Sequence, residues 1–163
     1  TSGSTATRLG ETANNAGGAG VFNSEEGVLY AEIEGLSNGG GGDRVISISN
    51  GSNGNSIQLF LHNTANRINF RVRDGGSLEV NISNFSTNQA QNIKLACKYK
   101  SGDYALWING IEAVTASTGS LPSGLSELSF DDGSGGNDFY GKTKNIQVFN
   151  YALTDEELQT LTT

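Results

Sequence analysis

Methionine is absent from this 163-residue chain, and proline, cysteine, histidine and tryptophan occur once each. A single cysteine, Cys97, excludes an intrachain disulfide and leaves the redox compartment open. Its place in the apolar alternation "IKLACKY" reads as an inert buried thiol. A single histidine, His62, means that any Ser-His-Asp or histidine-base chemistry would have to run through one residue. No G-x-S-x-G motif accompanies it, so a solvated turn residue at a hairpin end is the expectation. No apolar run approaches the roughly 18 residues of a membrane span, and no signal peptide is visible, so no membrane insertion is expected. Positive charge is scarce as well: 10 Lys and Arg stand against 17 Asp and Glu, for a net charge of −7 and a pI near 4.6. With its basic residues scattered, such a chain is not built for nonspecific attraction to nucleic acid or anionic lipid. A start at Thr1 without methionine anywhere is expected of an excised module or processed product, with the rest of a larger polypeptide as its natural context.

Glycine, at 23 residues, is in excess, with abundant Asn, Ser and Thr and the lone Pro122. This is the punctuation of many turns between short strands. The length suits one domain that buries roughly two-thirds of its unfolded surface. Residues 1–20, "TSGSTATRLGETANNAGGAG", carry few apolar groups and read as an extended leader, which leaves 21–163 as the folded domain. Strand patterns follow at 28–36, 44–49, 56–62, 66–73, 77–83, 92–99, 103–110, 112–117 and 125–131, with a closing strand before a terminal helix. Loops such as "NGGGGD", "NGSNGN", "DGGS" and "KSGD" separate them. About ten antiparallel strands in one domain mean a sandwich or a barrel. Thr154-Asp155-Glu156-Glu157 forms a capping-box pattern, and Leu158 and Leu161 lie at helical spacing. A lone helix of two turns is unstable in water, so it must dock on something larger.

Alternation separates the two faces of the central strands. Ile57, Leu59, Leu61, Ile68, Phe70, Val72, Leu78, Val80 and Ile82 are expected in the core. The opposite face carries Gln58, Phe60, His62, Arg67, Asn69, Arg71, Arg73, Glu79 and Asn81. Turn lengths set Arg71 opposite Glu79 and Phe60 opposite Asn69. In the hairpin at Ser101-Gly102, Tyr99 with Tyr104, Cys97 with Leu106 and Leu95 with Ile108 share the core side. Trp107 then stands opposite the small Ala96, near Lys94 and Lys98.

Two segments carry a family resemblance. "LACKYKSGDYALWINGIEA" is similar to the strand, turn and strand of laminin G-like, concanavalin A-like domains. "FYGKTKNIQVFNYALTDEELQTL" is similar to their ending, a strand followed by N-x-A-L-[ST]-x-x-E-[IL]. The resemblance covers roughly residues 21–163 in order of elements. It implies an all-β antiparallel sandwich of the jelly-roll, concanavalin A-like kind, whose last strand returns beside the first and whose acidic C-terminal helix packs on an end. "FNSEEGVLYAEI" and "LSFDDGSGGNDFYGK" further resemble modules of bacteriophage tail and other virion proteins, which implies a location on a virion surface or outside the cell.

Against this background each candidate site has two readings. Phe60 and Trp107 are placed to stack on sugar rings, with Asn69, Arg71, Glu79 and Asn81 as fixed donors and acceptors for a cell-surface polysaccharide or glycan. Alternatively, Trp107 is covered by the leader or the helix, and Phe60 by a loop or a neighbouring subunit of a homo-oligomer. Asp131, Asp132, Asn137 and Asp138 crowd the loop "FDDGSGGND", where hard oxygen ligands suit calcium. The same residues are good turn formers, and the spacing matches no EF-hand. No cofactor is otherwise implied. Glu32 and Glu34 share a strand face about 7 Å apart, within the range of glycosidase carboxylates. "EIEGL", however, lacks the middle Asp and final Glu of the E-x-D-x-E pattern of sandwich hydrolases, and the Q-I-H and Arg-Glu-Leu signatures of sandwich lyases are missing too. The expectation is a non-catalytic recognition module. A structural assembly module without sugar binding is the alternative, and a polysaccharide-degrading enzyme comes third.

Overall fold

Period-two alternation and glycine-rich turns are realised as ten strands and one helix in the computed structural model, which describes residues 20–163. All but the last residue of the expected leader therefore lies outside the described residues. The strands are β1 (Glu26–Gly35), β2 (Arg44–Ser49), β3 (Ser56–Leu61), β4 (Ile68–Asp74), β5 (Ser77–Asn84), β6 (Ile93–Lys100), β7 (Tyr104–Ile108), β8 (Ile111–Ala116), β9 (Glu127–Ser129) and β10 (Gly141–Phe149). The helix α1 spans Asp155–Thr162. Two antiparallel five-stranded sheets face each other, ordered β10-β1-β6-β7-β8 and β5-β4-β3-β2-β9. The fold is thus the expected β-sandwich, with its last strand beside its first.

The inner faces build one core, because apolar side chains at every second position can leave water only by meeting the other sheet. Leu29, Ala31, Ile33, Leu95, Cys97, Tyr99 and Leu106 from the first sheet meet Ile46, Ile48, Ile57, Leu59, Phe70 and Val72 from the second. The pairings Leu95 with Ile108, Ala96 with Trp107 and Cys97 with Leu106 are those expected of the hairpin. At the next turn Asn109 and Gly110 both have positive φ (48° and 81°), the geometry that a tight Asn-Gly hairpin requires. Gly27 serves close packing instead. A Cβ there would lie 2.4 Å from the Tyr99 hydroxyl and 2.6 Å from the Phe149 carbonyl oxygen.

The structure corrects two expected placements. The turn pairs Asp74 with Ser77, one residue tighter than expected, and a bulge between Val72 and Arg73 adds a second residue of offset, so Arg71 pairs with Asn81 and not with Glu79. The extra residue also turns Leu78 out of the core, leaving it 45% exposed opposite Arg73. The helix, for its part, packs on the outer face of the first sheet and not on an end of the sandwich. That face carries Val28, Tyr30, Ala96, Ala105 and Trp107, an apolar patch that Leu153, Leu158 and Leu161 close off. The capping box forms: the Glu157 amide donates to Thr154 Oγ1, and Glu157 Oε2 accepts from the Thr154 amide. Buried Lys98 ties the helix start to the sheet, with Nζ 3.5 Å from Asp155 Oδ1 and 2.8 Å from Asp103 Oδ1.

Candidate functional site

The outer face of the second sheet is divided. Over β2 and β3 the loop of residues 130–140 lies as a strap. The Val45 amide donates to the Asn137 carbonyl, Val45 forms a parallel bridge with Asp138, and Gln58 Nε2 donates to the Asp132 carbonyl. Phe60, paired with Val45 and Asn69, is only 2% exposed, and the Arg71 guanidinium lies over its ring at 4.1 Å. Its ring is not open to a sugar. Over β4 and β5 the face is polar: Asn81 is exposed, Arg71, Arg73 and Ser83 are half-buried, and Asn69 is fully buried among them.

There the alternation that aims Asn69, Arg71 and Arg73 outward on β4 does the same for Asn81 and Ser83 on β5. Arg67 Nε donates to Asn69 Oδ1 and its Nη2 to Ser83 Oγ, Asn69 Nδ2 donates to Asn81 Oδ1, and Arg71 Nε donates to the same oxygen. The result is one hydrogen-bonded row that fixes the guanidinium groups in place. Phe85 continues the outward series beyond Ser83; it is 65% exposed, with Arg67 Cζ 5.1 Å from its ring centre. Half-burial lowers the pKa of Arg71, and Arg67 and Arg73 push the same way while Asp43 opposes them. Burial likewise lowers the pKa of His62, against a smaller opposing pull from Asp43. His62 is half-buried and its Nδ1 accepts from the Thr64 amide, so it shapes its turn.

Of the residues proposed for glycan contact, the structure brings together Asn69, Arg71 and Asn81. Glu79, the bulge residue, is turned away to accept from the Ser120 amide. Trp107 lies on the outer face of the other sheet, 6% exposed beneath α1, and so cannot share a site with Phe60. The exposed aromatic that sequence reasoning missed is Phe85. Its signal was the continued period of Asn81, Ser83 and Phe85, past the point where the strand was expected to stop. Gln89 was also missed. Fully buried, it donates from Nε2 to the carbonyls of His62, Thr64 and Arg67 and accepts at Oε1 from Gly39 and Arg44, tying three loops together at one end of the sandwich. No sequence pattern marks a loop glutamine for that role.

The acidic loop is satisfied from within. Asp132 Oδ1 accepts from the Ser134 amide and hydroxyl and from the Gly136 amide, and Oδ2 accepts from Asn137 Nδ2. Burial would raise the Asp132 pKa, but these hydrogen bonds prevail and lower it. Asp131 Oδ1 accepts from the Gly133 amide, and Asp138 is engaged through its backbone with Val45. Among the described residues no three Asp, Glu, His or Cys side chains converge on a point that could hold a cation. Asp131 and Asp132 thus organise the turns of this loop, with Asn137 bonded to Asp132. Glu32 receives Lys144 Nζ at 2.8 Å and Asn92, which hold its carboxyl below its ordinary pKa, and Glu34 receives Lys142 at 2.6 Å. Both carboxylates are thus ion-paired to lysines of the neighbouring β10.

Residues 19–159 match the laminin G-like family model described as "Concanavalin A-like lectin/glucanases superfamily". The chain belongs to this family. No curated protein matches it. Among solved structures of the same fold, the Ruminococcus gnavus IT-sialidase CBM40 bound to α2,6 sialyllactose superposes with a TM-score of 0.72 at 19% identity, covering 96% of this chain and 97% of that one. The leech intramolecular trans-sialidase, complexed with 2,7-anhydro-Neu5Ac, gives 0.73 at 18% identity over 94% of this chain and 26% of its own. A heptameric SAP-like pentraxin from Limulus polyphemus gives 0.59 at 14% identity over 84% and 69%. At such identities the likeness is one of fold.

Proposed function

We propose that this domain is a non-catalytic glycan-recognition module displayed by a larger extracellular or virion protein. The observation that carries the reading is the hydrogen-bonded row of Arg67, Arg71, Asn81 and Ser83, oriented from beneath by the fully buried Asn69 and edged by exposed Phe85. Sugar recognition asks for pre-oriented planar donors and acceptors beside an aromatic edge, and this row supplies them without further ordering of side chains. Family membership and the sialyllactose-bound carbohydrate-binding module support the same reading. The virion context rests on the resemblance of "FNSEEGVLYAEI" and "LSFDDGSGGNDFYGK" to tail modules.

A broad glycan array probed with multivalent, folded domain tests the proposal, since single-site affinities of such modules are weak and display must compensate. Binding to at least one polysaccharide class is expected, equally with calcium and with chelator. Silence across the array would leave the assembly module as the better account.

A further inference from the structure

The basic side chains are sorted by sheet. Every lysine belongs to the first sheet and is engaged there: Lys98 with Asp103 and Asp155, Lys100 with Glu26, Lys142 with Glu34, Lys144 with Glu32, and Lys94 with the Thr163 carbonyl. Arg71 and Arg73 point outward from β4 of the second sheet, and Arg67 stands immediately before that strand. None of them has a carboxylate within ion-pair distance among the described residues. The acids around them are engaged elsewhere: Asp74 accepts from the Ser120 hydroxyl and Glu79 from the Ser120 amide, while Asp43 accepts from the Asn63 amide and reaches Arg71 only through its longer-range field. Arg71 spends Nε on Asn81, and its two Nη groups meet no acceptor among the described residues. In a chain of net charge −7, three guanidinium groups without an ion-paired carboxylate, on β4 and the residue before it, with only a longer-range pull of Asp43 on Arg71, are not the average outcome of composition.

Arg67 to Arg73 spans about 20 Å at roughly 3.3 Å per residue. Guanidinium is a planar fork that matches carboxylate oxygens in pairs, and here it is half-desolvated and held by its neighbours. A single terminal acidic sugar could use only one part of such a row. An extended chain with an acidic group on successive sugars would meet all of it, while Phe85 offers its ring at the end beyond Arg67. We propose that the ligand of this face is a carboxylated polysaccharide of the polyuronate kind, laid along β4 so that its repeating carboxylates engage Arg67, Arg71 and Arg73. This rests on the glycan-binding reading and narrows it to one ligand class.

Affinity electrophoresis through gels holding polygalacturonate, dextran sulfate or neutral dextran, joined to titration with 3′-sialyllactose, tests the assignment. Polygalacturonate should retard the domain, and retardation should fade as ionic strength rises. Arg73→Gln and Arg67→Gln should each weaken binding about tenfold, the scale of one charge-assisted contact. Arg73 bonds only the exposed Gly76 carbonyl, so the melting temperature of Arg73→Gln should stay near that of the parent, whereas Arg67→Gln also removes a donor from buried Asn69 and should lower it. Arg71→Gln should abolish retardation. Retention by dextran sulfate alone would overturn the carboxylate assignment, and response to 3′-sialyllactose alone would overturn the extended chain. Binding to a neutral glycan that survives all three substitutions would overturn the inference and leave the glycan-recognition reading standing. Silence of the native domain on every probe here and on the array would remove both.

Discussion

Asp132 shows how one side chain decides between a turn and a metal site. Its carboxylate is 5% exposed at the level of the residue and surrounded by amide and hydroxyl donors, so the charge is already satisfied by the loop that it organises. Asp132→Ala would strand those donors and loosen the strap over β2 and β3. The expected loss is about 1–3 kcal/mol, the scale for buried donors deprived of a charged acceptor. Thermal unfolding of parent and variant, each with chelator and with millimolar calcium, checks this: both should melt at temperatures independent of calcium. A calcium-dependent rise in the parent that vanishes in the variant would restore the metal reading. Phe60 and Trp107 carry the same lesson. Alternation shows that both point away from the core, but it does not show what lies above them, and each turns out to be covered.

At the scale of elements, α1 is a lid on an apolar outer face. Leu158 is fully buried among Val28, Tyr30, Ala96, Ala105 and Trp107. Its truncation to alanine would ordinarily cost about 2–5 kcal/mol. Because the inter-sheet core does not depend on this patch, the loss cannot exceed the free energy of docking the helix, so the lower half of that range is expected. Denaturant unfolding of Leu158→Ala measures it. Polysaccharide binding should persist in the folded variant, since the arginine row faces away on the other sheet. Loss of binding at unchanged stability would transfer the site to the helix side. Edge strands obey a related economy: β10 closes one edge of the first sheet with Lys142 and Lys144 exposed, and charged residues there discourage pairing with another chain.

Taken whole, the molecule is one inter-sheet core with a smaller satellite beneath the helix. Trp107 is the only tryptophan and sits in the satellite, while the strands report through the far-ultraviolet circular dichroism. If helix docking and sandwich formation are one cooperative event, the two signals will share a midpoint in urea. An earlier fluorescence transition would show the helix leaving first. The charge layout is also a property of the whole: four of the five lysines are matched by carboxylates on one sheet, and the outward arginines on the other have no ion-paired carboxylate among the described residues.

Strand positions, the turns between them, the capped helix and the family were legible in the chain, because alternation, Asn-Gly turns and capping chemistry act between residues a few positions apart. Even the hairpin register of Cys97 and Leu106 followed from turn length. The bulge at Val72, which with the tighter turn separates Glu79 from Arg71 and exposes Leu78, was not legible: one inserted residue leaves the sequence pattern almost unchanged but shifts every later pair. Nor was the cover over Phe60 and Trp107, supplied by segments distant in sequence. Composition could count the basic residues, but only the packing of the sheets decided which of them found a carboxylate, because an ion pair forms between neighbours in space.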